Sequence, residues 1–329
     1  MRSRALSGLA WLAAIAVAGW AVLWLWAPSW SQTVFVLLPL TPPVTAVAVL
    51  VAAVTLLLRR WAAGALALAA AVVLAAVVVP RAVPDGDPVL RPGPTTGPVV
   101  VATVNMQFGR ADPAAIVALV REQRVDVLGL QEVTPGAEEA LDAAGLGTEL
   151  PFRASMAREG AGGTALAARH PLAPSGLVLR PGVFTQVTAR VMAPPGPVDV
   201  VVAHPAAPVF RGDPEGWARE IRDLPAPASL DGPPRLVIGD LNATLDHRPL
   251  REYLATGWRD AAGERGAALD GTWPTDAPVP PFAAIDHVLL SGPASAVAVA
   301  THRVPSTDHE GLVVTVLVPR PGTVVSPGA

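Results

Sequence analysis

Residues 236–244 read LVIGDLNAT. Leu236, Val237 and Ile238 make a short apolar, β-branched run of the kind that forms a buried strand, and Asp240 and Asn242 follow at once. Taken alone, G-D-L-N is good turn chemistry, because Asp and Asn side chains bond their own backbone two residues on. The pattern repeats along the chain, however. Residues 99–104 (VVVATV) end in Asn105, the run at 125–130 ends in Gln131 and Glu132, and the run at 198–203 ends in His204. AIDHVLL at 284–290 opens on Asp286 and His287, and STDHEGLVV at 306–314 places Thr307, Asp308 and His309 just before the last apolar run. Amide, carboxylate and imidazole groups at the same kind of boundary predict one shared rim.

Further short β runs fall at 164–168, 187–191, 296–302 and 313–317, and helical spacing at 113–123, 138–144, 216–224 and 249–254. Many strands with few helices predict an α+β fold in which two sheets pack together with helices outside.

QE, GDLNA, IDHVLL and TDH in this order resemble the endonuclease/exonuclease/phosphatase family, over about residues 99–319. Its members include DNase-type and apurinic-site endonucleases, neutral sphingomyelinases and inositol polyphosphate 5-phosphatases. The resemblance implies a four-layer α/β/β/α sandwich and metal-assisted phosphoester hydrolysis with Mg²⁺ or Mn²⁺. Glu132 would be the principal metal ligand, with Asn105 beside it and Asp308 on the metal side. Asp240 would orient and deprotonate the attacking water, and Asn242 would hold that carboxylate or a phosphoryl oxygen. His309, oriented by Asp286, and His204 would donate to phosphoryl or leaving oxygens. Apurinic-site members carry a Tyr near the position of His204, so that residue resembles the DNase and sphingomyelinase types. Arg190 in VTARV and Trp273 in GTWP are expected at the substrate, although an outward surface arginine fits Arg190 equally well. His287 alternates to the other strand face and reads as structural. His170, His247 and His302 read as surface residues, and Gly163–Thr164 as architecture.

Of the 329 residues, 51% are hydrophobic and 16% charged, against about 25% charged in an ordinary soluble domain. Residues 1–84 explain the excess. They hold five arginines and no acid, and nothing ionisable lies between Arg4 and Arg59. A spanning helix needs about 20 apolar residues, and stretches at 6–26, 34–58 and 61–79 supply three. The second carries Pro39, Pro42 and Pro43, and Trp20, Trp24, Trp26, Trp30 and Trp61 sit near the ends as interfacial Trp does. Three such stretches exceed a signal peptide. Arginines before the first and between the second and third put the N-terminus in the cytoplasm, so three crossings predict a multi-pass anchor in the cell membrane with the rest of the chain extracytoplasmic. A re-entrant turn near Pro39 would reverse that. The anchor itself reads as free of chemistry, 81–98 as a Pro/Gly tether, and 320–329 as a flexible tail.

The sequence contains neither cysteine nor lysine, which excludes disulfide scaffolds, thiolate nucleophiles, Walker-type phosphate loops and Schiff-base chemistry. Beyond residue 84, nineteen arginines face twenty-seven acids, a net of −8. That disfavours a nucleic-acid backbone as substrate without removing it. A phospholipid headgroup or a small phosphodiester fits a site beside a bilayer. The expected partners are therefore the lipid bilayer and a phosphoester; no protein partner is inferable. The rival reading is a non-catalytic, membrane-tethered binding module on the same fold, which the intact set of polar strand ends opposes.

Overall fold

The computed structural model describes residues 2–26, 31–86, 88–177, 179–320 and 322–323. The loop expected at 27–30, with Pro28 and Trp30, and the tail after 323 lie outside them.

Twelve strands build two six-stranded sheets. In chain order they are β1 (Thr96–Asn105), β2 (Val127–Gln131), β3 (Phe152–Met156), β4 (Thr164–Ala168), β5 (Leu172–Ala173), β6 (Val187–Ala193), β7 (Gly196–Val202), β8 (Arg235–Asp240), β9 (Arg259–Asp260), β10 (Asp286–Ser291), β11 (Ser295–Arg303) and β12 (Glu310–Pro319). One sheet runs β11-β12-β1-β2-β4-β3 and the other β5-β6-β7-β8-β10-β9. Parallel pairs β1–β2 and β7–β8 sit at the centres, and the antiparallel partners β12 and β10 flank them.

Residue parity along each strand explains both the layers and the site. Side chains at i and i+2 share a face. Val99 and Val101, Val127, Val200 and Val202, Leu236 and Ile238, and Val288 and Leu290 all point into the core between the sheets. Ala102, Val104, Leu128 and Leu130 point the other way, against helices Pro113–Glu122 and Pro135–Ala143. Val201, Val237 and Leu289 likewise meet helices Pro214–Arg222 and Arg248–Leu254. Strands covered on both faces read as continuous apolar runs, and the four layers are helix, sheet, sheet, helix. Close packing shows at Gly129, where an added Cβ would come within 2.7 Å of the Ile238 side chain.

Three N-terminal helical stretches are long and apolar enough to cross a membrane: Arg4–Trp26, Gln32–Leu57 and Trp61–Ala82. The first is helix α1 (Arg2–Trp26), and the middle one comprises helix α2 (Gln32–Leu37), a 3₁₀ turn (Leu38–Leu40) and helix α3 (Thr41–Leu57). Its prolines occupy first-turn positions, where the missing N–H costs least, so the Pro-rich segment continues as helix. Small residues mediate the packing: Ala14, Ala48, Ala67, Ala70 and Ala71 are buried, and Gly64 abuts Leu56. Leu9, Leu12, Leu50 and Leu57 face outward.

The 81–98 stretch is not a loose tether. Arg81 forms a two-pronged bond to Asp246 at 2.9 and 2.6 Å, Asp85 N donates to Gly263 O, and Leu90 N donates to Ser295 Oγ. Trp24 Nε1 donates to the same Asp246 carboxylate at 2.8 Å, and the Arg251 guanidinium lies over the Trp24 ring at 4.2 Å. The helices are thereby fastened to the sandwich.

Candidate active site at the sheet ends

The parity that fills the inter-sheet core also sets the site. Asn105 continues the face of Val99 and Val101, His204 that of Val200 and Val202, Asp240 that of Leu236 and Ile238, and Asp286 that of Val288 and Leu290. The register places these ends together, with Asn105 opposite Gln131 and Asp286 opposite Asp240. The rim predicted from the sequence is the polar end of the inter-sheet core.

Asp240 is buried and central. One oxygen accepts from Asn242 N at 2.7 Å and the other from Asn105 Nδ2 at 3.0 Å. The second oxygen also lies 3.6 Å from His204 Nε2 and 3.8 Å from His309 Nε2. His309 Nδ1 donates to Asp286 Oδ2 at 2.8 Å, and His309 Nε2 lies 3.9 Å from Asp308 Oδ1. Glu132 accepts from Asn105 Nδ2 at 3.2 Å and from Phe108 N at 2.8 Å, and stands 3.9 Å from His204. Trp273 Nε1 donates to Asp308 Oδ2 at 3.0 Å. Backbone strain is concentrated here: Glu132 has φ 58° and Asn242 φ 50°, a left-handed conformation that costs a non-glycine residue about 1 kcal/mol or more. Gly239 (φ 140°) allows close strand approach, since a Cβ would meet Ala203 O at 2.1 Å.

Electrostatics follow from burial and partners. For Asp240, burial favours the neutral acid, but His204, His309 and the Asn242 N–H outweigh it and hold the carboxyl well below the usual range. For His309, burial opposes the charge, but Asp286, Asp240 and Asp308 together push it up to about 10. His204 is raised as well: Asp240 and Glu132 overcome its burial. The carboxylate of Asp240 and the two imidazoles therefore favour each other's charged forms.

The ligand atoms of Asp240, Asp286 and His309 lie within 4.8 Å of one another, a spacing that could hold a metal ion. Asp286 Oδ1 has no hydrogen-bond partner. Asn105 stands beside Glu132, as expected: its oxygen accepts from Gln107 N at 2.9 Å and its Nδ2 donates to the Glu132 and Asp240 carboxylates, so it positions both.

Two sequence expectations are corrected. Arg190 sits on the outer face of β6, because Val187, Ala189 and Val191 take the inner one. It pairs with Asp199 at 2.7 Å, three register positions away from the site end of the β6–β7 ladder, and does not line the cavity. His247 is buried rather than superficial. Its Nδ1 accepts from Thr244 N at 2.9 Å, its Nε2 donates to Phe35 O at 3.0 Å, and its ring packs on Phe35 and Trp217. Burial pushes its pKa down to about 4. His287, on the outward face, donates to Ala243 O at 2.7 Å.

The site opens into a cavity of about 450 Å³. Glu132, His204, Asp240, Asn242, Asp308 and His309 form its polar floor, and Trp273 and Phe108 stand at its rim. Sequence reasoning missed one wall, formed by Phe35, Val36, Pro39 and Leu40 of the N-terminal helices. No local signal in those residues announces it.

Comparison with known proteins gives this arrangement a context. Residues 102–309 match the family model described as Endonuclease/Exonuclease/phosphatase family. Among curated proteins none matches. Solved structures with the same fold include D. rerio TDP2 humanized by 14 mutations (TM-score 0.55, 14% identity, 67% of this chain and 98% of that chain). Another is D. rerio TDP2 complexed with single strand DNA product (0.53, 14%, 67% and 99%). A third is an AP endonuclease from Archaeoglobus fulgidus (0.54, 14%, 66% and 98%). With its profile match spanning most of the sandwich and its strand ends carrying the expected polar groups, this chain belongs to the endonuclease/exonuclease/phosphatase family.

Proposed function

We propose that the chain is a membrane-anchored hydrolase that cleaves phosphoesters with water and a divalent cation. The observation that carries this reading is the connected set Glu132–Asn105–Asp240–His309–Asp286, drawn from separate strand ends into one buried network. Enzymes of this family are generally hydrolases dependent on divalent metal ions.

The donor chemistry fits such an ion. Glu132, Asp240, Asp286 and Asp308 bring four carboxylates together, and no arginine lines the cavity among the described residues. Oxygen donors suit a hard cation such as Mg²⁺ or Mn²⁺. Glu132 and Asp308 would hold it, since they are the more exposed of the four and His309 Nδ1 is already committed to Asp286. When bound, the cation would polarise a phosphoryl oxygen and offset charge on the leaving oxygen.

The chain's own groups account for the rest. Asp240 orients the attacking water as a hydrogen-bond acceptor. The water oxygen bonds to phosphorus, one of its protons passes to Asp240, and the bond from phosphorus to the leaving oxygen breaks. His309 gives its proton to that oxygen. An acid held near 10 protonates only a strongly basic atom, which a departing alkoxide is. The proton on Asp240 then returns to His309 across 3.8 Å. His204 stabilises the charged phosphoryl oxygens, and Asn242 N–H keeps Asp240 in place.

The three apolar helices anchor this site at a bilayer. Trp24, Phe35 and Arg81, near one end of each helical stretch, all touch the sandwich, whereas Arg59 and Arg60 lie at the opposite end. This arrangement supports three crossings and an extracytoplasmic catalytic domain. A reporter fused after Pro319 should be active outside the cytoplasm, and activity confined to the cytoplasm would refute that orientation.

For the chemistry, the full chain in detergent should release p-nitrophenol from bis-p-nitrophenyl phosphate with Mg²⁺ or Mn²⁺. Chelation should abolish turnover, and Glu132→Gln should lower kcat/KM by roughly 100-fold or more. Turnover that survives chelation, or none with either metal, would overturn the reading.

A further inference from the structure

The cavity over the carboxylates has a wall that belongs to the membrane region. Phe35 and Val36 come from α2, and Pro39 and Leu40 from the 3₁₀ turn that follows. These residues are the opening turns of the second apolar stretch, Gln32–Leu57. The wall is held in place. Phe35 O accepts from His247, its ring meets Trp217 edge-on at 5.0 Å, and the buried Arg81–Asp246 pair fastens the end of the third stretch beside it. Val36 is 53% exposed, Phe108 42% and Trp273 36%, so apolar surface continues from the polar floor to the mouth. On α3, the next element of the same stretch, Val47, Leu50 and Leu57 also face outward. No arginine lines the cavity among the described residues.

We propose that the substrate is a lipid resident in the bilayer: a phosphoester whose non-leaving alcohol carries a long apolar chain. Its phosphate would lie over Asp240 and His309 while its chain runs past Val36 and Leu40 into the leaflet on the sandwich side. Burial of each additional methylene against such a wall strengthens binding, and a short-chain ester forgoes it. This inference rests on the hydrolase reading above and adds the substrate class.

The test compares methyl p-nitrophenyl phosphate with hexadecyl p-nitrophenyl phosphate, on the full chain in phosphatidylcholine nanodiscs with Mg²⁺. Both release the same leaving group and differ only in the retained alcohol. The hexadecyl ester should have the higher kcat/KM, by roughly 100-fold. The double variant Val36→Ser/Leu40→Ser should lower the hexadecyl-to-methyl ratio about tenfold, whereas Val36→Ile/Leu40→Met should keep it. Because a ratio is read, partial misfolding and simple partitioning into the disc cancel between variants. Equal kcat/KM for the two esters, a ratio unmoved by the serine variant, or faster cleavage of a single-stranded DNA oligonucleotide would each overturn the lipid assignment while leaving hydrolysis standing. Turnover of none of these, or Asp240→Asn cleaving as fast as the parent, would defeat the hydrolase reading and the lipid assignment with it.

Discussion

Asp240 and Asp246 are six residues apart in one stretch, GDLNATLDH, and both are almost fully buried. Their surroundings differ in counter-charge and in access to the cavity. Asp246 is balanced by a permanent cation, the Arg81 guanidinium at 2.6 Å, and by the Trp24 N–H at 2.8 Å. Asp240 is balanced by His204 and His309, which gain and lose protons, and it lines a cavity open to a ligand. A carboxylate locked by arginine is a fastener. A carboxylate held between imidazoles at the floor of a cavity is available for chemistry. Under the proposed function, the kind of counter-charge rather than burial alone separates the reacting carboxylate from the structural one.

Three experiments press on that contrast. Asp246→Asn leaves Arg81 buried without its counter-ion, and breaking a buried pair in this way costs about 3–5 kcal/mol. Chemical denaturation should show that loss, together with proteolytic release of the helices from the sandwich; unchanged stability would mean the clasp is ornamental.

The next effect is a pH dependence at the same junction. His247 is neutral in the folded chain, with a pKa near 4, against about 6.5 unfolded. Its contribution is fully present above pH 6.5 and fades as pH falls toward 4, because the unfolded chain then binds the extra proton. The difference amounts to about 3 kcal/mol at most. Asp246 and Arg251 stand near it, so His247→Phe is the control: it should flatten stability between pH 6.5 and 4, and a slope identical to the parent would contradict the assignment.

The smallest effect is expected at Arg190. With its side chain on the outer face and bonded to Asp199, Arg190→Gln should change kcat/KM by less than about twofold. A large drop would return it to the substrate site.

Much of this architecture is legible in the sequence, and its limits are physical. Continuous apolar runs such as VVVATV announce strands covered on both faces, and all the central strands fall where those runs do. The edge strands β3, β5 and β9 do not announce themselves: FRASM is half-exposed, and the other two have only two residues each. The polar strand ends reveal the candidate site because parity carries the core face outward to Asp240 and Asp286. The same parity, read along VTARV, already turns Arg190 away from it. What stayed hidden is long-range pairing. Arg81 and Asp246 are 165 residues apart, Trp24 and Asp246 222, and Phe35 and His247 212. No local pattern in a charge-free helix or a Pro-rich segment indicates which distant loop it will meet. For that reason the sequence presents the anchor as inert, although it supplies a wall of the cavity.

The most direct measurement sets Asp240→Asn beside Asp246→Asn, reading both kcat on an aryl phosphodiester with Mg²⁺ and the midpoint of unfolding. Asp240→Asn should lose roughly 1,000-fold or more in kcat while unfolding near the parent, and Asp246→Asn should unfold early yet keep most of its kcat below that transition. An Asp240→Asn chain that turns over at the parental rate would contradict the assignment of chemistry to the sheet ends.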